Sequence, residues 1–464
     1  MYEILIYVIF IIVSYFIFAW TPGPYKQRAL ILLSLSVLSL FSIWLTTFVA
    51  VYPTTLYLLI KLHINSGNKL KKPTAWLTFA FIFIIFAVFN YSNAVHIIGS
   101  TKSSGENIWG IFGAAFLSLQ AWALFRTIKN QPDIGYNFDE IVLYLIFFPK
   151  FLAGPIEQPS EFIDRLRALK TFNLDDQQIR YGFIKILLGF FKKFVISSNL
   201  SIFVFGVFPF KVGDPIFLLA IHLLLFGLFM YYDFFAYTDI AQGTALLFGV
   251  KLSENFNRPL SSRNIEEFWQ RWHMSMVNWF RKNIFYPLLF RRFSVYIIVP
   301  IIFVLSGLWH AFNVQFLAWG LVHAMAILVY LGYKNSSLYP GRQIRNTKIY
   351  QFASWAMMFS FFIFSWLPLR VSDFSLFLSQ SPGLKFHQET DVLGRILNQR
   401  FFSAGVSIIF LELAVLILLK KGRSLEDFVF TRKPLLRWII YIGSIYLTLL
   451  LGKFTSPTFV YQTF

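Results

Sequence analysis

Histidine is the side chain whose unperturbed proton affinity lies near neutrality, so the seven histidines of this chain are the first place to look for a general base. His310 stands apart from the others. It closes the segment Ser306, Gly307, Leu308, Trp309, His310, inside a run of 40 uncharged residues from Ser294 to Tyr333. A neutral imidazole is tolerable in such a run and an imidazolium is not, which keeps the ring available as a base near pH 7. The alternative on residue chemistry alone is a structural histidine bonded to a neighbouring carbonyl. His323 follows thirteen residues later, about 220° around a straight helix and nearly on the opposite face, so the two share a site only if the helix breaks between them. A metal held by His273, His310 and His323 lacks a carboxylate or thiolate to complete it, and no metal site is expected. His222 lies in an apolar run and suits a buried bond between helices. His63, His96 and His387 lie in or near polar segments and carry no catalytic expectation. Asp233 and Asp239 flank a turn rich in Phe and Tyr; a proton-relay pair is one reading, and a helix cap or an ion pair with an arginine is the favoured one.

Several chemistries lose their usual support. The chain has no Gly-rich phosphate loop and no Gly-x-Ser-x-Gly elbow, which argues against kinase, nucleotide-driven pump and hydrolase readings. It has no cysteine, which removes disulfides, thiolate metal sites and a cysteine nucleophile, and leaves the redox compartment open.

The elements that must position these residues belong to a membrane protein. Of 464 residues 57% are hydrophobic and only 14% charged, with a mean hydropathy of +0.62. That charged fraction is about half the ordinary ~25% and leaves too little polar surface to cover a soluble fold. Uncharged runs long enough to span recur: Ala29–Ile60, Ala75–Thr101, Ile108–Phe125, Phe194–Phe210, Pro215–Tyr232, Ser294–Tyr333 and Ile349–Leu369. Weaker candidates are Ile4–Phe18, Phe401–Leu419 and Trp438–Gly452. The first of these lacks a preceding base and a cleavage pattern and reads as a retained helix. The reading is an all-α polytopic integral membrane protein with about ten to twelve transmembrane helices. Ala29–Ile60 is expected to divide at Pro53, and Ser294–Tyr333 to turn near Gly307 or Asn313. The net charge of +19 is spread over short segments between apolar runs, which points to anionic lipid and not to nucleic acid.

Two stretches suit helices lying along the interface. From Ile265 to Phe280 the apolar side chains, Trp269 and Trp272 among them, fall within an arc of about 120° at helical spacing, with His273 at its edge. Phe256 to Arg292 carries seven bases and two acids, a candidate anion-facing surface. The second stretch starts at Asn173, where an Asn cap precedes Asp175 and Asp176, and leads through Lys185, Lys192 and Lys193 into an apolar run.

Three blocks then resemble the bacterial branch of the membrane-bound O-acyltransferase (MBOAT) family, which includes alginate and peptidoglycan O-acetyltransferases and the teichoic acid D-alanyltransferase. They are FFPKFLAGPI at Phe147–Ile156, followed by Glu161 and Phe162; the segment Phe235–Pro287, with LSENFNRP and EEFWQRWHMS; and LSGLWHAFNVQFLAWGLVHA at Leu305–Ala324. The helix GFIKILLGFFKKFVI and the terminal FVYQTF extend the likeness, so that it covers most of residues 145 to 330 and the last few positions. This sequence departs from the common pattern at Lys282, Ala311, Val277 and Asn278, which bears on the acceptor and partner surface more than on the chemistry.

The resemblance implies an MBOAT-type bundle with interfacial or re-entrant helices. It makes residues 1–464 a single integral domain with N-terminal helices (1–140), a catalytic core (141–333) and C-terminal helices (334–464). It implies that His310 is the catalytic residue and His273, 37 residues earlier, its supporting partner. Asn257, Arg271, Trp272, Ser306 and Trp309 are expected to bind substrate. No cofactor is expected to be tightly bound; the co-substrate would be an acyl donor such as acetyl-CoA or an acyl-carrier thioester. The expected partners are the lipid bilayer, a glycan acceptor and a periplasmic or extracellular transferase or esterase, at a multi-pass location in the bacterial cytoplasmic membrane. The implied activity is acetyl transfer to hydroxyls of an extracytoplasmic polysaccharide. The alternatives are D-alanyl transfer to teichoic acid from a carrier protein, and a non-enzymatic acyl or glycan transporter.

Overall fold

Seven helical stretches among the described residues are long and apolar enough to cross a bilayer in the computed structural model: Leu45–Asn65, Asn68–Val88, Asp176–Phe205, Ile216–Leu247, Val314–Lys334, Lys348–Arg370 and Pro434–Leu451. Two shorter apolar helices, Ile6–Trp20 and Val295–His310, accompany them. The protein is a multi-pass, all-helical membrane protein. The structure describes residues 2–41, 43–98, 114–151, 154–171, 176–207, 216–371, 405, 407–408 and 425–454. Most of the expected span at Phe401–Leu419, and all of the Asn173 cap, the FVYQTF terminus and His387, lie outside the described residues.

The chain forms two compact units, Met1–Ile186 with Tyr237–Ser253, and Leu187–Ala236 with Glu254–Phe464. In the first, the main helices are α1 (Tyr2–Trp20), α2 (Lys26–Phe41), α3 (Ile43–Asn65), α4 (Asn68–Ile98), α5 (Ala114–Asn130), α6 (Phe138–Ile146) and α7 (Pro159–Ala168). The expected break at Pro53 is absent: Pro53 lies inside α3. A spanning helix tolerates proline when neighbouring hydroxyls serve its backbone, and Thr54 Oγ1 donates to the Ala50 carbonyl at 2.8 Å. The core of this unit is aliphatic and aromatic, with Tyr52, Tyr144, Phe147 and Phe162 fully enclosed.

The buried carboxylates and the buried lysine of the first unit are matched. The Asn137 side chain and Glu140 form a reciprocal cap on α6, and the Glu140 carboxylate also accepts two bonds from Arg167, at 2.7 and 3.0 Å. Glu157 is fully buried and accepts from the Ser253 amide at 2.6 Å, the Ser253 hydroxyl at 3.0 Å and Arg165 at 2.9 Å. This ties the end of the FFPKFLAGPI block to the LSENFN segment. The buried Lys150 of the same block donates to Gln120 Oε1 and to the Tyr144 carbonyl.

The second unit contains the continuation of α8 (Asp176–Phe190) through a wide i→i+5 turn at Phe191–Ser197, and most of α9 (Ile216–Leu247). Asp233 on α9 accepts from Lys193 Nζ at 2.6 Å and Ser197 Oγ at 2.7 Å, so this acid is an ion-pair partner, of a lysine and not the arginine expected. His222 is buried and accepts from Arg370 Nε at 3.0 Å, the helix-to-helix bond anticipated for it. α10 (Ile265–Arg271), α11 (Met274–Phe280), α12 (Val295–His310), α13 (Val314–Lys334), α14 (Lys348–Phe364) and α15 (Pro434–Leu451) complete the unit's main helices.

The long uncharged run folds as a helical hairpin. α12 ends at His310, and Asn313 caps α13 by accepting from the Phe316 amide at 2.9 Å. The two helices cross closely because glycine stands at both crossing points: a Cβ on Gly307 would overlap the Phe316 carbonyl oxygen, and one on Gly320 would overlap that of Phe303.

Candidate active site

Placement of His273 begins with a helix that fails to continue. Helical spacing over Ile265–Phe280 suggests one amphipathic rod, yet α10 stops at Arg271 and α11 restarts at Met274. Between them Trp272 is extended and His273 takes a left-handed backbone, φ 45° and ψ 49°, which is costly for a side-chain-bearing residue. A neighbouring segment holds the break in place. The Met274 amide donates to the Asn255 carbonyl at 2.9 Å, the Asn257 amide to the Arg271 carbonyl at 2.9 Å, and the Ser275 hydroxyl to Asn255 Oδ1 at 2.5 Å. Asn255 and Ser275 are both buried, so these bonds form away from competing water.

The apolar arc of α10 is covered by protein. Trp269 packs edge-on to Phe303 and Trp319, and Phe268 stacks on Trp272, which also meets Phe256 and Trp366. These contacts rigidify the lip on which His273 sits.

Both histidines line one small cavity of about 30 Å³, together with Phe234, Trp272, Met276, Phe316 and Trp319. His310 stacks on Phe316 with ring centroids 5.5 Å apart and meets Trp319 edge-on at 5.7 Å. His273 meets Phe234 edge-on at 4.7 Å and lies 6.4 Å from the Trp309 ring, which itself is 4.6 Å from His310. Burial, and then the neighbouring His310, hold the His273 imidazole well below its ordinary pKa, so it is neutral at physiological pH. Two imidazoles on a nearly dry aromatic wall offer proton acceptance and hydrogen bonding without a permanent charge. The cavity has room for about two waters, less than an acyl or sugar group occupies.

The other expected site residues are distributed less tightly. Trp272 lines the cavity; Asn257, Arg271, Ser306 and Trp309 do not. Asn257 is exposed and reaches this region only through its backbone amide. Arg271 is held by Glu267 at 2.6 Å and by the Ser261 hydroxyl at 3.0 Å, which makes it a brace for α10. Ser306 is buried with its hydroxyl toward the Met276 sulfur, at 4.0 Å. His323 is one ring removed from His310: the helix does break between them, and Trp319 touches both, with centroids 4.7 Å from His323. Sequence reasoning missed Asn255, Phe316 and Trp319. The one signal for Asn255 is its place in LSENFN, two residues before Asn257; nothing marks Trp319 among the other aromatics.

Comparison with known proteins gives the family. Residues 30–372 match the family described as MBOAT, membrane-bound O-acyltransferase family. The chain is 29% identical over 264 residues to the peptidoglycan O-acetyltransferase of Helicobacter pylori, covering 55% of this chain and 49% of that protein. It is 28% identical over 240 residues to the teichoic acid D-alanyltransferase of Bacillus subtilis, covering 48% and 60%. It is 25% identical over 340 residues to a protein of Azotobacter vinelandii named "Probable alginate O-acetylase AlgI", covering 68% and 66%. The matches thus span about half to two thirds of the length of these relatives. With the family match extending over most of the sequence and both histidines of the RWH and GLWH blocks meeting on one cavity, the chain belongs to the membrane-bound O-acyltransferase family.

Proposed function

We propose that this protein transfers an acyl group, acetyl in the first reading, from a thioester donor to a hydroxyl of an extracytoplasmic polysaccharide. The observation that carries the reading is the convergence of His310 and His273 on a single cavity walled by aromatic rings. His310, at the end of α12, accepts the proton of the attacking hydroxyl as its oxygen bonds to the acyl carbonyl carbon. The carbon–sulfur bond then breaks, and the departing thiolate takes up that proton. A positioned base of this kind is worth ~10² to 10⁴-fold in rate. His273 holds the hydroxyl or the developing oxyanion from the opposing lip. With no cysteine in the chain, the acyl group does not rest on an enzyme thiol. The donor is acetyl-CoA or an acyl-carrier thioester, the membrane is the bacterial cytoplasmic membrane, and a periplasmic or extracellular transferase or esterase is the expected partner.

The likeness to peptidoglycan and alginate O-acetylating relatives supports acetyl transfer. The second reading, D-alanyl transfer from a carrier protein, is supported by the 28% identity to the teichoic acid enzyme.

The test is turnover of radiolabelled acetyl-CoA by the protein in nanodiscs, wild type against His310→Ala. The expected result is label released or moved to a soluble sugar acceptor by the wild type, with His310→Ala at least 100-fold slower and equally stable in detergent. Wild-type turnover in His310→Ala would remove the catalytic assignment. A well-folded but inactive wild type that turns over when given a D-alanyl-charged carrier protein would decide for the second reading.

A further inference from the structure

The first compact unit holds a second cavity, about ten times larger than the histidine cavity. Its volume is about 320 Å³, and its wall includes His63, Lys71, Lys72, Trp76, Phe79 and Lys129. It lies where the spanning stretches Leu45–Asn65 and Asn68–Val88 turn into one another, and is closed by the C-terminal end of α5. The turn between two spans stands at the level of the lipid headgroups.

The lining is divided by chemistry. Lys71, Lys72 and Lys129 are exposed, and none of them makes an ion pair among the described residues. Residues 61–72 and 129–135 contain five lysines (61, 69, 71, 72 and 129) and one acid, the exposed Asp133. His63 is buried at the base, its Nδ1 hydrogen-bonded to Thr74 Oγ1 at 3.0 Å. The remaining wall is apolar: Trp76 is 73% exposed and meets Phe79 edge-on with ring centroids 6.3 Å apart, and Lys129 Nζ lies 5.6 Å from the Phe79 ring. A tryptophan at such a boundary presents an apolar body to acyl chains and an N–H to water.

We propose that this cavity binds the phosphodiester headgroup of an anionic membrane lipid. The three lysines face the phosphate, and the first segment of an acyl chain lies along Trp76 and Phe79. A free phosphate shares the anionic chemistry but has no use for the apolar wall. Basic pockets between membrane helices take anionic headgroups on these grounds, and the cavity is at the small end of the ~300–1,000 Å³ typical of ligand sites.

The experiment measures retention of phosphatidylglycerol, phosphatidylcholine and inorganic phosphate by the detergent-purified full chain, using native mass spectrometry and competition with a fluorescent phosphatidylglycerol. The wild type is expected to hold phosphatidylglycerol at least 10-fold more tightly than phosphatidylcholine, with inorganic phosphate failing to displace it at equal concentration. The combined Lys71→Gln, Lys72→Gln, Lys129→Gln variant is expected to bind about 100-fold more weakly, and the corresponding triple Arg variant to bind as the wild type does. Trp76→Ala, a change at an exposed side chain that leaves the lysines in place, is expected to weaken the long-chain lipid more than a six-carbon analogue, and tests the site even if the triple Gln variant fails to fold. Equal binding by a folded triple Gln variant, equal retention of phosphatidylcholine, displacement by inorganic phosphate, or indifference of Trp76→Ala to chain length would each overturn the proposal.

Discussion

Asn255 fixes the backbone from which the His273 ring projects. Its side chain accepts from the Ser275 hydroxyl and its carbonyl from the Met274 amide, one residue beyond His273. Asn255→Ala keeps the carbonyl and removes the side-chain acceptor, leaving a buried hydroxyl without this partner, a loss of about 1–3 kcal/mol. The expected outcome is a lower melting temperature in detergent and a fall in transfer rate, both partly restored in the Asn255→Ala, Ser275→Ala double variant. Strict additivity of the two single changes would show that the bond is not coupled to the site. His310, which lines the cavity, stood out in sequence, because an imidazole inside 40 uncharged residues invites a chemical explanation. Asn255 did not, because an Asn in a polar loop looks the same whether its amide meets water or a buried serine.

The elements around the site do two geometrical jobs, each with its own test. The first is the interruption between α10 and α11, which turns His273 out of an otherwise continuous amphipathic helix. Since glycine adopts a left-handed backbone freely, His273→Gly should preserve or raise thermal stability by up to about 1–2 kcal/mol per residue so relieved, set against the lost packing on Phe234, while transfer is lost. Retained transfer in His273→Gly would reduce this residue to a helix anchor. The second job belongs to the α12–α13 hairpin. Gly307→Ala forces a methyl into the Phe316 carbonyl and should cost about 1–3 kcal/mol, displacing His310 three residues on. Gly443→Ala is the control, because nothing lies within 4 Å of a Cβ there. If both variants melt and turn over alike, the close crossing does not position His310. The length of the uncharged run anticipated the hairpin with a turn near Gly307 or Asn313, of which Asn313 is the one found; helical spacing did not anticipate the break at His273, because period 3.6 runs straight through residues 265–280 and the bonds that stop it come from residues 255–257.

Across the chain, the membrane sets the terms on which polar groups are kept. Asp233, Lys193 and Ser197 form a buried cluster on helices that cross an apolar medium, and an ion pair there is retained only with all partners present. Asp233→Leu should therefore cost about 3–5 kcal/mol by leaving Lys193 without its carboxylate, while Asp233→Leu combined with Lys193→Met should recover most of it; melting curves in one detergent measure both. Failure of the second change to recover stability would mean that Asp233 serves other neighbours more than Lys193. Composition argued against a soluble fold, because 14% charge over 464 residues cannot clothe a soluble surface, and the recurring uncharged runs of spanning length then gave an all-helical, multi-pass protein. The order of the three quoted blocks pointed to the family; the chemistry of an imidazole in an apolar run left His310 open between a base and a structural histidine, and the resemblance singled it out. Folding was needed to decide which histidine stands beside which, that Arg271 is a brace and Asn257 an exposed turn residue, and that Trp319 links three rings. Those outcomes depend on contacts between segments tens of residues apart, and an apolar stripe on one helix carries no record of whether lipid, another helix or a substrate will cover it.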